Sequence, residues 1–322
     1  MHTTLTNDPI ARPAAGHRVI YGKSRQPRTA HKLIVNADDF GMTRGINRAI
    51  AEAHDAGIVT SATLMAKSAA FDDAVEIAVR RPKLHVGCHV VLVEGEPLSD
   101  PVQVSSLLDP HGEPGRPAFR NSIASFARAA TRGRIDLDHV ITETVAQIQK
   151  LQAAGIAVSH VDCHKHAHMF PAIAAGVIEG ASRCGVRNIR VPFEPSWAVK
   201  AGGSGLSLRL MIRSFQVTIL RRWHRPFLDM VHGSGMQTTQ GTIGIAVTGA
   251  LDQKTFNQLI EHMPAGAFEF VCHPGYNDAD LAQVATGLLE SRERELKVLT
   301  SPATRKLLES RNIELIDFSR LH

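Results

Sequence analysis

Short apolar runs alternate with segments of helical spacing along most of the chain. Residues 33–35 form the first apolar run, which is typical of a buried strand, and residues 45–56 follow with apolar side chains three and four positions apart until Gly57. The same pattern predicts further strands at 59–65, 84–89, 157–163, 188–191, 243–247, 267–272 and 313–316, and further helices at 71–80, 137–154, 171–184, 253–262 and 302–310. Repeated strand–helix units predict an α/β fold with a parallel sheet.

The number of these units indicates how the sheet is arranged. About seven strand–helix units suit a single (β/α) barrel, TIM-like and irregular, better than an open sheet. We expect the barrel to span residues 32–322, with insertions at about 93–134 and 193–240. Residues 1–31 are rich in Pro, Gly and basic side chains without a sustained period, which is typical of a flexible tail.

Composition narrows the class of protein. The chain has 322 residues, a formal net charge of +5 and four cysteines. Residues 1–32 and residues 200–232 each carry six Lys or Arg against one Asp, so the remainder is net acidic, which argues against a uniformly basic nucleic-acid-binding protein. The cysteines are scattered, and neither a transmembrane run nor a signal peptide is recognisable, so we expect a cytoplasmic protein without disulfides.

Side chains that bind metal ions follow several predicted strands at the point where each strand ends. Because the carboxyl ends of parallel strands meet at one face of the fold, we expect these side chains to form a single site. They are Asp38 and Asp39 after the first strand, His89 after the third, Asp162, His164, His166 and His168 after the next, and His273 after a late strand. The alternation of side chains along a strand turns the preceding cysteines away from this site; these are Cys88, Cys163 and Cys272.

The types of side chain in this group indicate a metal centre, although each has a plainer interpretation. One carboxylate and two imidazoles leave positions open on a divalent ion, as in a catalytic site, and Zn, Co, Ni or Mn suits such ligands. In the plainer interpretation, Asp39 is a helix N-cap, the histidines after residue 162 are unconnected, and His273 is structural. Arg190 either forms a salt bridge inside the barrel or braces the catalytic aspartate.

Four segments carry a resemblance to a known family. Residues 35–41 (VNADDFG), 86–89 (VGCH), 161–169 (VDCHKHAHM) and 272–274 (CHP) resemble, in the right order, the YdjC-type carbohydrate deacetylases. The resemblance runs from about residue 32 to the end of the chain. It implies a (β/α) barrel that hydrolyses an N-acetyl group on an amino sugar.

The resemblance also implies roles for individual residues. The metal ligands would be Asp39, His89 and His164, the general base Asp38 and the general acid His273. Mg then joins the candidate metals. We assign substrate binding to Arg190, His166, His168 and Glu194. Lys165 departs from the family pattern, in which another histidine is common at this position, and this leaves the detailed substrate open.

Two further segments resemble one branch of the family. Residues 91–98 (VLVEGEPL), residues 190–195 (RVPFEP) and the basic, apolar insertion after them resemble the branch associated with hopanoid biosynthesis. This resemblance implies that the substrate is the N-acetylglucosaminyl head of a hopanoid lipid, with soluble chitooligosaccharides as the alternative. Two other classes stay open: a glycoside hydrolase with Asp162 or Glu194 as its second carboxylate, and a non-catalytic lipid- or sugar-binding protein.

The second insertion has a pattern of its own. Apolar residues recur at helical spacing on one side, and a basic and aromatic set accompanies them: Arg209, Arg213, Arg221, Arg222, Trp223 and Arg225. A basic amphipathic helix with an aromatic residue is typical of a membrane surface, so we expect peripheral contact with the inner face of a membrane. The alternative is a helix whose apolar side covers the barrel.

Overall fold

The computed structural model describes residues 2, 30–113, 115–202 and 221–321, which form a parallel sheet with helices packed against it. The strands are β1 (His31–Phe40), β2 (Ser61–Leu64), β3 (His85–Val90), β4 (Val161–Cys163), β5 (Thr242–Ile243), β6 (Gly266–Cys272) and β7 (Ile313–Leu315). The α-helices are α1 (Arg44–Asp55), α2 (Phe71–Val79), α3 (Ile123–Thr131), α4 (Leu137–Ala153), α5 (Pro171–Arg183), α6 (Ser196–Gly202), α7 (His224–Gly233), α8 (Gln253–Glu261), α9 (Glu290–Thr300) and α10 (Pro302–Ser310). Short 3₁₀ helices lie at Pro101–Leu107, His164–Met169, Arg221–Trp223, Leu281–Gln283 and Phe318–Arg320.

β1 is the central strand, and it runs past both aspartates where the sequence predicts a turn. Its residues are buried from Leu33 to Phe40 on both faces, as expected of a strand covered on two sides. One edge pairs with β6, and the other edge pairs first with β7 and then with β2. The register against β2 shifts between Ala37 and Phe40, so the regular alternation of side chains breaks at the two aspartates.

The sheet is curled and open. All strand pairs are parallel, in the order β4-β3-β2-β1-β6-β5, with β7 beside the start of β1. Isolated bridges join Ile189 to Val161 and Asn188 to Gln237, so single contacts stand where the sequence predicts a strand at 188–191. Among the described residues, the expected barrel is therefore a half-barrel and not a closed ladder of strands.

The helices bury the faces that their apolar spacing predicts. In α1, Ile46 and Ile50 are fully buried, and Thr43 caps the helix by accepting a hydrogen bond from the Ile46 backbone N–H. α4 and α5 approach each other closely, because a Cβ atom at Gly176 would lie 2.6 Å from the Val140 side chain. Glycine at this position permits the close contact between α4 and α5, and α4 in turn packs against β3.

Several elements differ from the sequence prediction. α9 is absent from the predicted helices because its residues are mostly charged and lack apolar periodicity. α3 lies within the predicted insertion at 93–134, and α6 and α7 lie within that at 193–240, of which residues 203–220 are outside the described chain. The predicted tail, residues 1–31, is outside it as well except for residues 2, 30 and 31.

Candidate metal centre and active site

Three side chains from different strand ends meet at the carboxyl edge of the sheet. Asp39 lies near the end of β1, His89 lies in β3, and His164 follows β4. His89 Nε2 lies 3.3 Å from His164 Nδ1, and Asp39 Oδ1 lies 3.7 Å and 3.6 Å from these two nitrogens. Two imidazole nitrogens and one carboxylate oxygen, all within 4.8 Å of one another, fit a divalent cation with open positions.

The backbone takes left-handed conformations beside this group. Asp39 has a φ of 65°, and Lys165 and His166 each have a φ of 53°. Such values are uncommon for residues other than glycine and concentrate at functional sites. At Asp39 the conformation lets consecutive aspartates, Asp38 and Asp39, both reach the site, which a regular strand would prevent.

A buried carboxylate orients His89. Its Nδ1 lies 2.7 Å from Oδ1 of Asp162, which fixes Nδ1–H as the donor and leaves Nε2 for a metal. Burial lowers the pKa of His89, but the carboxylates of Asp162, Asp38 and Asp39 together outweigh burial and raise that pKa to about 9. Asp38, His89 and Asp162 form a second group of potential ligands. We favour the group with Asp39, because His89 and Asp162 already bond to each other.

The guanidinium group of Arg190 contacts three buried carboxylates next to the candidate ligands. Arg190 is fully buried and donates to both oxygens of Asp38 at 2.7 Å. Its nitrogens also lie 2.6 Å from oxygens of Asp162 and Glu269. Burial alone would raise the pKa of Asp38, yet the Arg190 charge holds it below its usual value, so this carboxylate stays ionised. Burial raises the pKa of Glu269 to about 7 despite the same guanidinium.

His273 lies near Asp38, on the side of β1 away from β2 and β3. It follows β6, and its Nε2 lies 3.9 Å from Asp38 Oδ2. Its Nδ1 lies 4.0 Å from Oε2 of Glu295, which also accepts a 2.6 Å hydrogen bond from the His273 backbone N–H. The ring therefore has one nitrogen towards Asp38 and the other towards a buried carboxylate, an arrangement suited to moving a proton at Nε2.

A second buried arginine acts on Asp39. Arg292 lies on α9, and its guanidinium donates to Asp39 Oδ2 at 2.6 Å. Burial works to raise the pKa of Asp39, but Arg292, His164 and His273 together outweigh it and hold that pKa well below its usual value. Oδ2 is thereby engaged, while Oδ1 faces the two histidines.

Sequence reasoning missed the residues that support the site from a distance. Arg292 and Glu295 carry no motif, and charged residues on a helix usually face solvent, but here they are 1% and 2% exposed. Glu269 likewise stands alone in an apolar strand. Its position was the one sequence signal for these supporting residues, because a charged side chain inside a buried strand needs a buried partner.

Three of the residues assigned to substrate binding are engaged within the protein. Every guanidinium nitrogen of Arg190 faces a carboxylate, which matches the bracing alternative. His168 is fully buried, and its Nε2 lies 3.1 Å from the Arg190 carbonyl oxygen. Glu194 is 1% exposed and accepts hydrogen bonds from the backbone N–H groups of Gly244 and Ala246. These contacts engage the three side chains within the protein, and their assignment to substrate binding stays a prediction.

His166 differs from these three. It is partly exposed, and its Nδ1 is buried without a hydrogen-bond partner among the described residues. Burial lowers its pKa to about 3, so the ring is neutral. Nδ1 of His168 is also without a hydrogen-bond partner among the described residues, but of the two histidines only His166 is partly exposed.

The residues assigned to a membrane surface are described only in part. Arg209 and Arg213 lie outside the described residues, as does the side chain of Arg221. Arg222 is exposed and stacks over the Trp223 ring at 4.5 Å, and Arg225 is exposed. Trp223 packs edge-on against Phe170 at 5.4 Å, which is the contact expected from a helix that covers the fold.

Comparison with known proteins gives the family. Residues 32–310 match the model of the YdjC-like proteins, and the chain belongs to this family. A carbohydrate deacetylase of Brevibacillus brevis is 32% identical over 291 residues, which cover 90% of this chain and 99% of that protein. The carbohydrate deacetylase of Geobacillus stearothermophilus is 32% identical over 294 residues, which cover 90% of this chain and 97% of that protein.

A solved structure supports the fold. A protein of Enterococcus faecalis, described as a candidate cellobiose-phosphate cleavage protein, is 25% identical and superposes with a TM-score of 0.71 over 91% of this chain and 99% of that chain. The relatives confirm the prediction that the protein is an enzyme of the carbohydrate deacetylase class, a hydrolase acting on an amide bond. In the part of the chain that the structure describes, no helix is both long and apolar enough to cross a membrane.

Proposed function

We propose that the protein removes the N-acetyl group of an amino sugar by metal-dependent hydrolysis. The observation that carries this proposal is the convergence of Asp39, His89 and His164 beside Asp38 and His273. Relatives named as carbohydrate deacetylases support the same reaction. Two nitrogens and one oxygen suit Zn, Co, Ni or Mn, and the family resemblance adds Mg.

The chemistry divides between the ion and the protein. A bound divalent ion would supply Lewis-acid polarisation of the acetyl carbonyl and of water. Asp38 would accept a proton from the water whose oxygen bonds to the acetyl carbon. His273 would give a proton from Nε2 to the sugar nitrogen as the C–N bond breaks, releasing acetate and a free amine. Arg190 supports the first step, because it keeps Asp38 ionised and fixes both of its oxygens.

The glycoside hydrolase alternative is less compatible with this geometry. It needs two carboxyl groups that face the substrate about 5 to 9.5 Å apart. Asp162 and Glu194, the candidates for the second carboxylate, are 0% and 1% exposed. Asp162 bonds to His89 and Glu194 accepts from the backbone N–H groups of Gly244 and Ala246, whereas Asp38 lies beside His273.

We extend the proposal to the substrate, which would be the N-acetylglucosaminyl head of a hopanoid lipid. Resemblance at residues 91–98 and 190–195 supports it, and soluble chitooligosaccharides are the alternative. The exposed side chains of Arg222 and Arg225 support contact with an anionic membrane by a cytoplasmic, peripheral enzyme. Each arginine close to such a surface contributes about 1 kcal/mol.

Acetate release is the test of the reaction. The purified protein would be given N-acetylglucosaminyl hopanoid in vesicles or soluble diacetylchitobiose, each with chelator and then with added Zn²⁺. We expect chelator to stop acetate release and Zn²⁺ to restore it, while His164→Ala stays inactive with Zn²⁺. Release that persists in chelator would reject metal dependence, and a shortened glycan without acetate would indicate a glycosidase.

The membrane part of the proposal has its own test. Replacing Arg209, Arg213, Arg221, Arg222 and Arg225 with Gln should weaken binding to anionic vesicles. It should also slow turnover of the lipid-linked sugar more than that of diacetylchitobiose. Equal losses on both substrates would make the insertion a structural part of the fold, and unchanged vesicle binding would reject the surface role.

A further inference from the structure

A glutamate outside the ligand group faces the outer side of His164. Glu94 follows β3 and has a φ of 58°, a left-handed conformation that is uncommon for a residue other than glycine. One of its carboxylate oxygens, Oε2, lies 4.0 Å from His164 Nε2. The other oxygen forms an ion pair with the ammonium group of Lys165. The carboxylate is thus shared between His164 and Lys165.

The two ring nitrogens of His164 face different partners. Its Nδ1 faces Asp39 and His89, so Nδ1 is the atom that would bind a metal. A neutral imidazole that binds a metal through Nδ1 carries its proton on Nε2. That N–H points to the side on which Glu94 lies, and a carboxylate there is the partner that fixes the orientation of a metal-binding imidazole.

His89 provides the internal comparison. It has the opposite arrangement, with Nε2 towards the metal group and Nδ1 bonded to Asp162 at 2.7 Å. Both candidate histidine ligands therefore have a carboxylate on the nitrogen that faces away from the group. The difference is exposure: the Asp162 side chain is 0% exposed, whereas that of Glu94 is 30% exposed.

The protein holds Glu94 in place from two directions. Its backbone N–H donates to the Arg120 carbonyl oxygen at 2.9 Å, and the next residue, Gly95, accepts from the Phe119 N–H at 2.8 Å. These contacts tie the loop to the insertion before α3. On the other side, the ammonium group of Lys165 pairs with the carboxylate.

We propose that Glu94 is a positioning residue that orients His164 for metal binding, and that Lys165 keeps the Glu94 carboxylate in place. The inference rests on the proposed metal-dependent function. Through Glu94 and Lys165, the loop after β3 would influence how tightly the site binds its metal. Glu94 acts on the ligand and not on the sugar, so its loss should weaken metal binding more than turnover of the metal-loaded enzyme.

Calorimetric titration with Zn²⁺ alone tests this inference. We expect Glu94→Gln to weaken Zn²⁺ binding about 10–100-fold, the range found when such a carboxylate is removed, with an unchanged melting temperature of the metal-free protein. Glu96→Gln is the matched control, because Glu96 lies two residues away on the same loop and pairs with Lys67 instead. It should bind Zn²⁺ as the wild type does. Turnover at saturating Zn²⁺ should fall far less than affinity in Glu94→Gln.

A charge exchange separates positioning from simple ion pairing. The double variant Glu94→Lys with Lys165→Glu restores an ion pair but removes the carboxylate from position 94. We expect its Zn²⁺ affinity to stay low, whereas recovery of wild-type affinity would overturn the positioning role. Lys165→Met, which leaves Glu94 in place, should show a smaller loss in the same direction.

The outcomes distinguish this inference from the proposed function. If wild type and His89→Ala bind Zn²⁺ equally, the metal site itself is wrong and both proposals fall. If wild type binds Zn²⁺, His89→Ala does not, and Glu94→Gln matches wild type, the positioning role alone is rejected. A large loss of turnover in Glu94→Gln at unchanged affinity would also reject it, because Glu94 would then act on the substrate.

Discussion

The two candidate metal-binding histidines are held by different parts of the fold. The buried half of the site consists of Asp38, His89, Asp162 and Arg190, which lie on or beside strands and are almost inaccessible to solvent. The rim half consists of Glu94, which lies in the loop after β3, and of His164 and Lys165, which begin the 3₁₀ helix after β4; the Glu94 and Lys165 side chains are 30% and 36% exposed. Ionic contacts are strong where water is excluded and weak where it is present, so the two halves should respond differently to equivalent substitutions.

The largest expected effect is at the candidate general base in the buried half. Asp38→Asn should lower turnover by about 10²–10⁴-fold, because an amide cannot accept the proton of water. Metal affinity should change little, since Asp38 is not in the favoured ligand group. Steady-state kinetics at saturating metal, with metal content measured on the same sample, checks both statements. Near-normal turnover in this variant would remove Asp38 from the mechanism.

The next largest effect is on the free energy of unfolding, which should fall more for a substitution in the buried half than for one in the rim half. Arg190→Met leaves three buried carboxyl groups without their cation, and breaking such a buried group costs about 3–5 kcal/mol of unfolding free energy. Lys165→Met breaks an ion pair of the rim half, where the cost should be within about 1 kcal/mol. Chemical denaturation of both metal-free variants gives the comparison. Similar losses in the two would contradict the division of the site into halves.

The affinity for Zn²⁺ compares the two supporting carboxylates, Asp162 in the buried half and Glu94 in the rim half. Asp162→Asn should weaken Zn²⁺ binding by at least the 10–100-fold expected for Glu94→Gln, because Asp162 is buried and bonds directly to His89. Calorimetry under the same conditions ranks the two variants. A larger loss in Glu94→Gln would mean that His164, and not His89, depends more on its supporting carboxylate.

The smallest effect concerns a histidine below the buried half. His160 stacks on Phe318 with ring centroids 3.7 Å apart, and its Nε2 lies 3.1 Å from Oδ1 of Asn36, which in turn donates to Asp38. Burial lowers the pKa of His160 to about 3, below the value of 6.5 expected in the unfolded chain. The unfolded state therefore gains a proton first, and stability should fall as pH drops below about 6.5.

This pH dependence is measurable by denaturation of the metal-free protein between pH 7 and pH 4.5. One such histidine contributes a slope of at most about 1.4 kcal/mol per pH unit. His160→Gln removes the titrating group, so its stability should fall less steeply with acid than that of the wild type. The same slope in both proteins would show that His160 does not contribute.

The buried half was largely predictable from the sequence, and the rim half was not. Asp38 and His89 stand at the ends of short apolar runs in the sequence, and because the carboxyl ends of parallel strands meet at one face, the sequence predicts that they lie together. Glu94 and Lys165 both have a left-handed backbone, and they meet where the loop after β3 approaches the 3₁₀ helix after β4, which no periodic pattern predicts. The sequence places Lys165 beside the histidines but gives no sign of its partner.

The support from α9 was also beyond the sequence. Arg292 and Glu295 are separated by 253 and 22 residues from the groups that they contact, Asp39 and His273. Their helix is predominantly charged, a composition that normally indicates a solvated face. The open form of the sheet was missed for a related reason: residues 188–191 are apolar enough for a strand, but they form only isolated bridges.

The position of the metal is the most direct test of the account. Crystals of the protein loaded with Zn²⁺ would be measured at the zinc absorption edge, so that anomalous scattering locates the ion. We expect one strong peak about 2.0–2.2 Å from Oδ1 of Asp39, Nε2 of His89 and Nδ1 of His164. A peak between Asp38 and Asp162, or no peak at this edge of the sheet, would contradict the proposed metal centre.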